Sequence, residues 1–282
     1  PPPQTITIVR DGFYGAQVRP LKSALDFSKG GAVIMVDWSD IAGGHDALCN
    51  PNTNYVSTKK VAKALFDYIE KKLLVQMPIH LIGHSRGASV NSRLAKLLGE
   101  RGIWVEQQTT IDPRPIKMAY YSDPKVELWD NTLFADNYYR TGAYPAGRSV
   151  AGSTEFNLSE IVTGSSGNIE HVETHAYYYF TVDTKATLAD GIAIQPQWFG
   201  NLARSREHTG YAYSRVRRGI PTILSSDINS TSRKHNYDQA IGTHWPNVVL
   251  RTPTDYRGNP KYVFTANGKI TIPYYYQDRD GS

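Results

Sequence analysis

Cysteine is nearly absent from this chain: Cys49 is the only one among 282 residues. No internal disulfide can hold it, so its fold must rest on a buried core, as in a cytosolic protein or a bacterial secreted one that needs no staples. Long apolar runs are missing too. None approaches the roughly 18–20 residues of a membrane-spanning helix, so stable membrane insertion is not expected. No charged n-region precedes an apolar h-region, and no signal peptide is visible. The charge balance of 31 basic against 26 acidic side chains gives +5, but the basic residues form no block. The densest cluster, Arg215-Val216-Arg217-Arg218, reads as a solvated loop, and nucleic acid is not expected as a partner. Internal repeats and low-complexity segments are likewise absent. Tyrosine, in contrast, is abundant, with 19 residues including Tyr177-Tyr178-Tyr179 and Tyr274-Tyr275-Tyr276. Its apolar body and polar tip suit strand packing, or a cleft for sugars, aromatics or polymers.

The most informative stretch is Pro78 to Ala88. Ile79 to Ile82 reads as a short buried strand that stops at Gly83. A helical pattern of Ala88, Val90, Leu94, Ala95, Leu97 and Leu98 starts just after. Between them lies Gly83-His84-Ser85-Arg86-Gly87, a G-x-S-x-G set between strand and helix as a nucleophile elbow requires. A strand that turns at once into a helix holds its serine in strained geometry with the hydroxyl in the open. The flanking positions are expected to face neighbouring backbone, where only a hydrogen fits. The helix start also aims N–H groups at the serine, so the Arg86 amide is a candidate oxyanion donor.

The rest of the chain supplies a context. Thr5 to Val9 and Ala32 to Val36 are β-branched or apolar runs that read as strands. A helix is expected from about Ser57, a suitable N-cap, to Gln76. Trp104 to Ile111 reads as a strand that delivers Asp112-Pro113 at its end. This β-βα-βα-β order implies an α/β fold with a mainly parallel sheet and helices on both faces. Sites in such sheets collect at the carboxyl ends of the strands. Between 116 and 167 the alternation breaks down into Tyr-, Gly- and Ser-rich sequence, with Asn131 to Ala135 as one further strand leading to Asp136. Segments of this kind cover or line a site. Ile169 to Tyr178 opens a helix-like run carrying His171 and His175. A histidine there completes the order Ser, Asp, His. The two histidines lie one helical turn apart, so a metal pair is an alternative, but Val172 holds the slot where a zincin motif has glutamate. The last part is aromatic and polar, with a hairpin expected over Val263 to Ile272 around Asn267-Gly268.

Val36-Asp37-Trp38-Ser39, His80 to Ala88 and Thr110 to Pro115 resemble, in order and spacing, the pancreatic-type lipases of the α/β-hydrolase superfamily. Asn131 to Arg140, and His171 followed by Tyr177-Tyr178, are similar to secreted bacterial serine hydrolases of unassigned substrate. The resemblance covers about residues 5–215. It implies an α/β-hydrolase core over 1–190 with a lid-like insertion at 116–167; by their own composition, residues 191–282 read as a β-rich C-terminal region packed on that core. It implies Ser85 as nucleophile and Asp112 as acid, with Asp136 as the rival in the commoner superfamily position. His171 is favoured over His175 as base. The Phe13 amide, in the glycine-bearing turn Asp11 to Gly15, joins Arg86 in the oxyanion hole. Asp11 stands where the lipases carry histidine, and their paired cysteines are missing.

The resulting expectation is a secreted serine carboxylic-ester hydrolase that works through an acyl-enzyme, with no metal and no cofactor. Its substrate would be an ester of a small molecule, a lipid or a polymer, polyester and plant polymer included. The start at Pro1-Pro2-Pro3 reads as trimmed. Two alternatives remain open at this point: a peptidase, amidase or acyltransferase on the same triad, and a non-catalytic module that binds carbohydrate or a surface through its tyrosines. The sequence carries no sign of oligomeric state.

Overall fold

The computed structural model describes residues 4–12, 15–19, 33–42, 55–72, 79–101, 103, 105–117, 122–129, 131–142, 144–164, 166–200, 209–213, 263–264 and 270–271. They belong to two compact units: Pro1–Leu74 with Ile116–Pro124, and Val75–Pro115 with Lys125–Ser282.

In the first unit, strand β1 (Gln4–Asp11) is central, with β2 (Gly15–Val18) antiparallel on one side and β3 (Ile34–Asp37) parallel on the other. The period-two alternation of the Thr-Ile-Thr-Ile run puts Ile6 and Ile8 on one face, both fully buried. The turn after β1 closes a hairpin. Gly12 takes φ +59°, and a Cβ on Gly15 would lie 2.2 Å from the Asp11 carbonyl oxygen, so only glycine fits there. A short helix, α1 (Ser39–Ala42), follows β3, and a longer one, α2 (Thr58–Lys71), buries Val61, Ala62, Leu65, Phe66 and Ile69 along one stripe. Residues 73–76, into which the sequence extended this helix, lie outside the described residues. Ser57 occupies the N-cap position, but its side chain makes no cap bond. The Thr58 N–H donates instead to Asp123 Oδ1 at 2.9 Å, while Asp123 Oδ2 accepts the Ile116 N–H at 3.1 Å. A full negative charge at a helix N-terminus suits the helix dipole better than a hydroxyl, so the carboxylate takes the capping role.

The second unit is built on four parallel strands in sequential order: β4 (His80–His84), β5 (Val105–Ile111), β6 (Thr132–Tyr139) and β7 (Thr154–Asn157). Parallel neighbours need a crossover, and α3 (Arg86–Glu100) provides the one between β4 and β5. Helix α4 (Gly167–Val182) follows β7. Strand β6 shows how the faces divide. Ala135 packs with Ala88 of α3, Val126, Leu128 and Val150, whereas Tyr138 packs with Ala176, Tyr177 and Tyr178 of α4 and with Trp198. Positions an odd number of residues apart on a strand point to opposite faces, so helices cover both faces of this sheet and the arrangement is α/β.

Two of these strands lie inside 116–167, the stretch whose sequence suggested a cover. β6 continues past Ala135 to Tyr139, and β7 carried no strand signal beyond its Thr154-Glu155-Phe156 alternation. The abundant tyrosines go partly to packing, since Tyr138, Tyr177 and Tyr178 are buried and Tyr138 stacks on Phe156 at 4.7 Å. After α4, β8 (Leu188–Ala189) and β9 (Ile192–Ala193) form a hairpin whose Asp190-Gly191 turn has φ of 50° and 75°, the type I′ signature. A short antiparallel pair, β10 (Val263–Phe264) and β11 (Ile270–Thr271), matches the hairpin expected there. Its Asn-Gly turn and most of the chain beyond 200 lie outside the described residues. No helix among the described residues is long and apolar enough to cross a membrane.

Strand β5 is unusual because it is buried throughout yet polar, with Glu106, Gln107, Gln108, Thr109 and Thr110 all inside. Such groups must bond internally. Asp136 Oδ1, on β6, accepts from Thr109 Oγ1 at 2.5 Å and Gln107 Nε2 at 3.1 Å, and Thr109 Oγ1 lies 2.8 Å from His80 Nε2. Loss of water pushes the Asp136 carboxyl up to about 6 and the His80 imidazole down to about 3. A carboxyl raised on folding carries no penalty below its unfolded value and a growing one as pH rises through its native value. Asp136→Asn removes that penalty. The stability of the variant relative to wild type should therefore rise by roughly 1–3 kcal/mol between about pH 4 and pH 7, measured by urea unfolding. A difference that stays flat across this range contradicts the assignment.

Candidate active site

Ser85 sits in the single-residue joint between β4 and α3, with φ 55° and ψ −122°. A non-glycine residue there costs roughly 1–3 kcal/mol of strain, which the surrounding hydrogen bonds hold in place. The Ser85 N–H donates to the Ile111 carbonyl at 2.9 Å, and the Ser85 carbonyl accepts the Arg114 N–H at 3.1 Å and the Ala88 N–H at 3.2 Å. These bonds carry the β4–β5 ladder one residue past the strand ends and set Ser85 beside Ile111-Asp112. Arg86 is the first residue of α3 and is buried, so its amide is among the helix-start N–H groups that have no acceptor within the helix.

The glycines of the motif play unequal parts. A Cβ on Gly83 would lie 2.5 Å from the Gly87 carbonyl oxygen and 2.7 Å from the Ala88 nitrogen, so the elbow closes directly onto that position. Gly87 has open space where its own Cβ would be. The expectation that both flanks exclude a side chain holds for Gly83 and not for Gly87, because only the first faces backbone.

Asp112 follows β5 directly. Its N–H donates to the Tyr138 carbonyl at 2.7 Å, its φ is +42°, and its side chain is fully buried. Aspartate tolerates this left-handed geometry better than most residues. Asp112 Oδ1 accepts the Arg140 backbone N–H at 3.1 Å, and a Cβ on Gly147 would fall 2.1 Å from the same oxygen. The other oxygen, Oδ2, meets His171 Nδ1 at 2.5 Å.

His171 lies in the first half of α4, which starts with the Ser166 hydroxyl accepting the Ile169 N–H. His84, immediately before Ser85, packs its ring against that of His171 with centroids 4.4 Å apart, and His84 Nε2 donates to the His171 carbonyl at 3.1 Å. Loss of water, with the neighbouring His171 and His175 adding to it, pushes the His84 imidazole down to about 3. It is therefore a neutral donor near neutral pH. A neutral spacer thus ties the residue next to Ser85 to the helix that carries His171, and the Asp112 bond to Nδ1 leaves the ring's Nε2 for a second partner.

The structure thus brings Asp112 and His171 into contact, beside the Ser85 joint. It separates their rivals. Asp136 lies within β6, bonded to Thr109 and Gln107, and His175 Nδ1 pairs with Asp190 Oδ2 at 3.1 Å. The two histidines of α4 therefore bind different carboxylates, and no group of three His, Cys, Asp or Glu among the described residues could hold a metal ion. Phe13 lies outside the described residues. Sequence reasoning gave no functional part to His84, Gly147, Arg140 or Glu170. Arg140 Nη1 meets Glu170 Oε2 at 2.7 Å, and Nη2 lies 3.8 Å from Asp112 Oδ2. A residue just after a strand carries no motif that announces such a contact. Comparison of the chain with protein-family models, curated proteins and solved structures gave no significant match.

Alanine at the two motif glycines should separate them. Gly83→Ala drives a Cβ into backbone and should lower stability by about 2 kcal/mol or more. Gly87→Ala, in a helix with room for the methyl, should be neutral or stabilising by up to about 1 kcal/mol. Chemical denaturation of both variants checks this, and equal effects would contradict the elbow geometry.

Proposed function

We propose that the chain is a serine hydrolase of carboxylic esters, and that the β4–α3–β5 unit is the nucleophile end of an α/β-hydrolase core. The observation that carries this reading is the 2.5 Å contact of His171 Nδ1 with Asp112 Oδ2, next to a serine strained at the start of a helix. Nucleophile, base and orienting acid are the parts that acyl transfer needs.

In the proposed cycle, the Ser85 hydroxyl attacks the acyl carbon and its proton passes to His171 Nε2. Asp112 holds the ring through Nδ1–H and stabilises it as imidazolium without taking the proton. The Arg86 amide donates to the oxyanion. Loss of one such donor typically costs ~10²–10³ in rate. The imidazolium then protonates the leaving alkoxide as the C–O bond breaks, giving the alcohol and an acyl-Ser85. Water that loses its proton to His171 attacks this ester, and collapse releases the acid and restores Ser85. The chemistry runs entirely on side chains and backbone amides.

An activated serine reacts with a fluorophosphonate, so the probe should label wild type and fail on Ser85→Ala and His171→Ala. Asp112→Asn should lower ester hydrolysis by about 10⁴, while Asp136→Asn and His175→Ala stay within about tenfold of wild type. Activity on p-nitrophenyl esters of increasing chain length then ranks the acyl pocket. Labelling or full hydrolysis by Ser85→Ala would refute the proposal. Turnover of amides or peptides with none of esters would keep the triad and transfer the chain to that class.

A further inference from the structure

We propose that the buried Arg140 and the partly exposed Glu170 form a counter-charge pair that sets the basicity of His171, acting through Asp112 rather than on substrate. This rests on the triad reading above. The Arg140 side chain is fully buried, immediately after β6, and the Glu170 side chain is 17% exposed. Besides its 2.7 Å contact with Glu170, Arg140 Nη2 donates to the Gly167 carbonyl at 2.5 Å and to the Pro145 carbonyl. Its backbone N–H holds Asp112 Oδ1, and its Nη2 lies 3.8 Å from Asp112 Oδ2, the oxygen that binds His171. One guanidinium therefore joins the triad acid, the first residue of α4, the residue preceding His171 and the segment that presses Gly147 against Asp112.

Charge arithmetic gives this pair its role. With His171 neutral, the set of Asp112, Arg140 and Glu170 carries one net negative charge, and proton uptake by His171 cancels it. Without Glu170, the guanidinium beside Asp112 would oppose the imidazolium. Without Arg140, two carboxylates would favour it too strongly. Three other titratable groups lie around this set, and of these Glu173 also feels both members of the pair. His84 is neutral, His175 is paired with Asp190, and Glu173 lies on the same helix with its carboxyl raised by burial and by Glu170 but lowered by Arg140. A buried charge left without its partner is costly, which explains why the pair is present as a pair.

The two charges therefore have opposite expected effects. In a Ser85→Ala background, which needs no turnover, NMR titration of the His171 ring should move to higher pH in Arg140→Met and to lower pH in Glu170→Gln. Each shift should be about half a pH unit or more, and the double variant should return towards the parent. In the Ser85 enzyme, the acid limb of kcat/KM should follow the same directions. Arg140→Lys keeps the charge but not the fork, so it should hold the midpoint while lowering kcat. Circular dichroism establishes which variants fold, and if Arg140→Met does not, Glu170→Gln and Arg140→Lys decide. Shifts of one common sign, or an unmoved midpoint in folded variants, would overturn the proposal. Ring shifts of opposite sign without fluorophosphonate labelling would support the charge pair and refute the hydrolase.

Discussion

The contact on which the candidate site depends is the bond between His171 Nδ1 and Asp112 Oδ2, 2.5 Å long and spanning 59 positions of sequence. It exists only if β4, β5 and β6 end in register, because Ser85 hangs from Ile111 and Asp112 hangs from Tyr138 by backbone hydrogen bonds that extend the two ladders. It also needs α4 to arrive with its first turns over those strand ends. The buried side of α4, with Ala176, Tyr177, Tyr178 and Phe180 against Tyr138 and Trp198, supplies that docking. Core packing and site geometry are thus one constraint, and the aromatic cluster holds His171 where Asp112 can reach it.

The same unit buries more polar and charged groups than stability alone would favour. Asp112 and Arg140 are fully buried, and β5 carries glutamine and threonine where a central strand is ordinarily apolar. Each such group costs desolvation unless it finds a partner: Thr109, Gln107 and Asp112 have one, whereas the Gln108 side-chain amide is buried with none. The costs are arranged differently in two places. The Asp136–Thr109–His80 network lies along the strands, away from the elbow, and holds its acid up and its imidazole down. The Asp112–Arg140–Glu170 set lies at the strand ends and keeps charges in opposed pairs. Asp136 therefore sits among Thr109 and Gln107, whereas Asp112 sits among His171 and Arg140.

Much of this was legible in the sequence, for specific physical reasons. The Ile79–Ile82 run and the helical period after Ala88 mark a strand and a helix with one joint, and that joint is where Ser85 takes its strained φ. The run Trp104–Ile111 marks the strand that ends at Asp112, but strand end and proline alone fit a turn equally well, and its role as acid rests on the resemblance. His171 and His175 could not be told apart by spacing, since residues one turn apart share a helix face. The carboxylates that separate them come from β5 and from the β8–β9 turn, which no local pattern reveals. Arg140 was invisible for the same reason, as its partners include Asp112, Pro145, Gly167 and Glu170, which are spread along the chain. The reading of 116–167 as a cover missed β7 because a four-residue strand carries too little alternation to stand out. Residue type marks Ser57 as the cap of α2, but the distant Asp123 carboxylate takes the role.

The most direct test of the central claim is a crystal structure of the protein after reaction with a phosphonate ester. Phosphorus should be bonded to Ser85 Oγ, with a phosphoryl oxygen at the Arg86 amide and His171 Nε2 facing the adduct while Nδ1 keeps its bond to Asp112. An unmodified Ser85 with an intact elbow, or an adduct with His171 turned to another carboxylate, would contradict it.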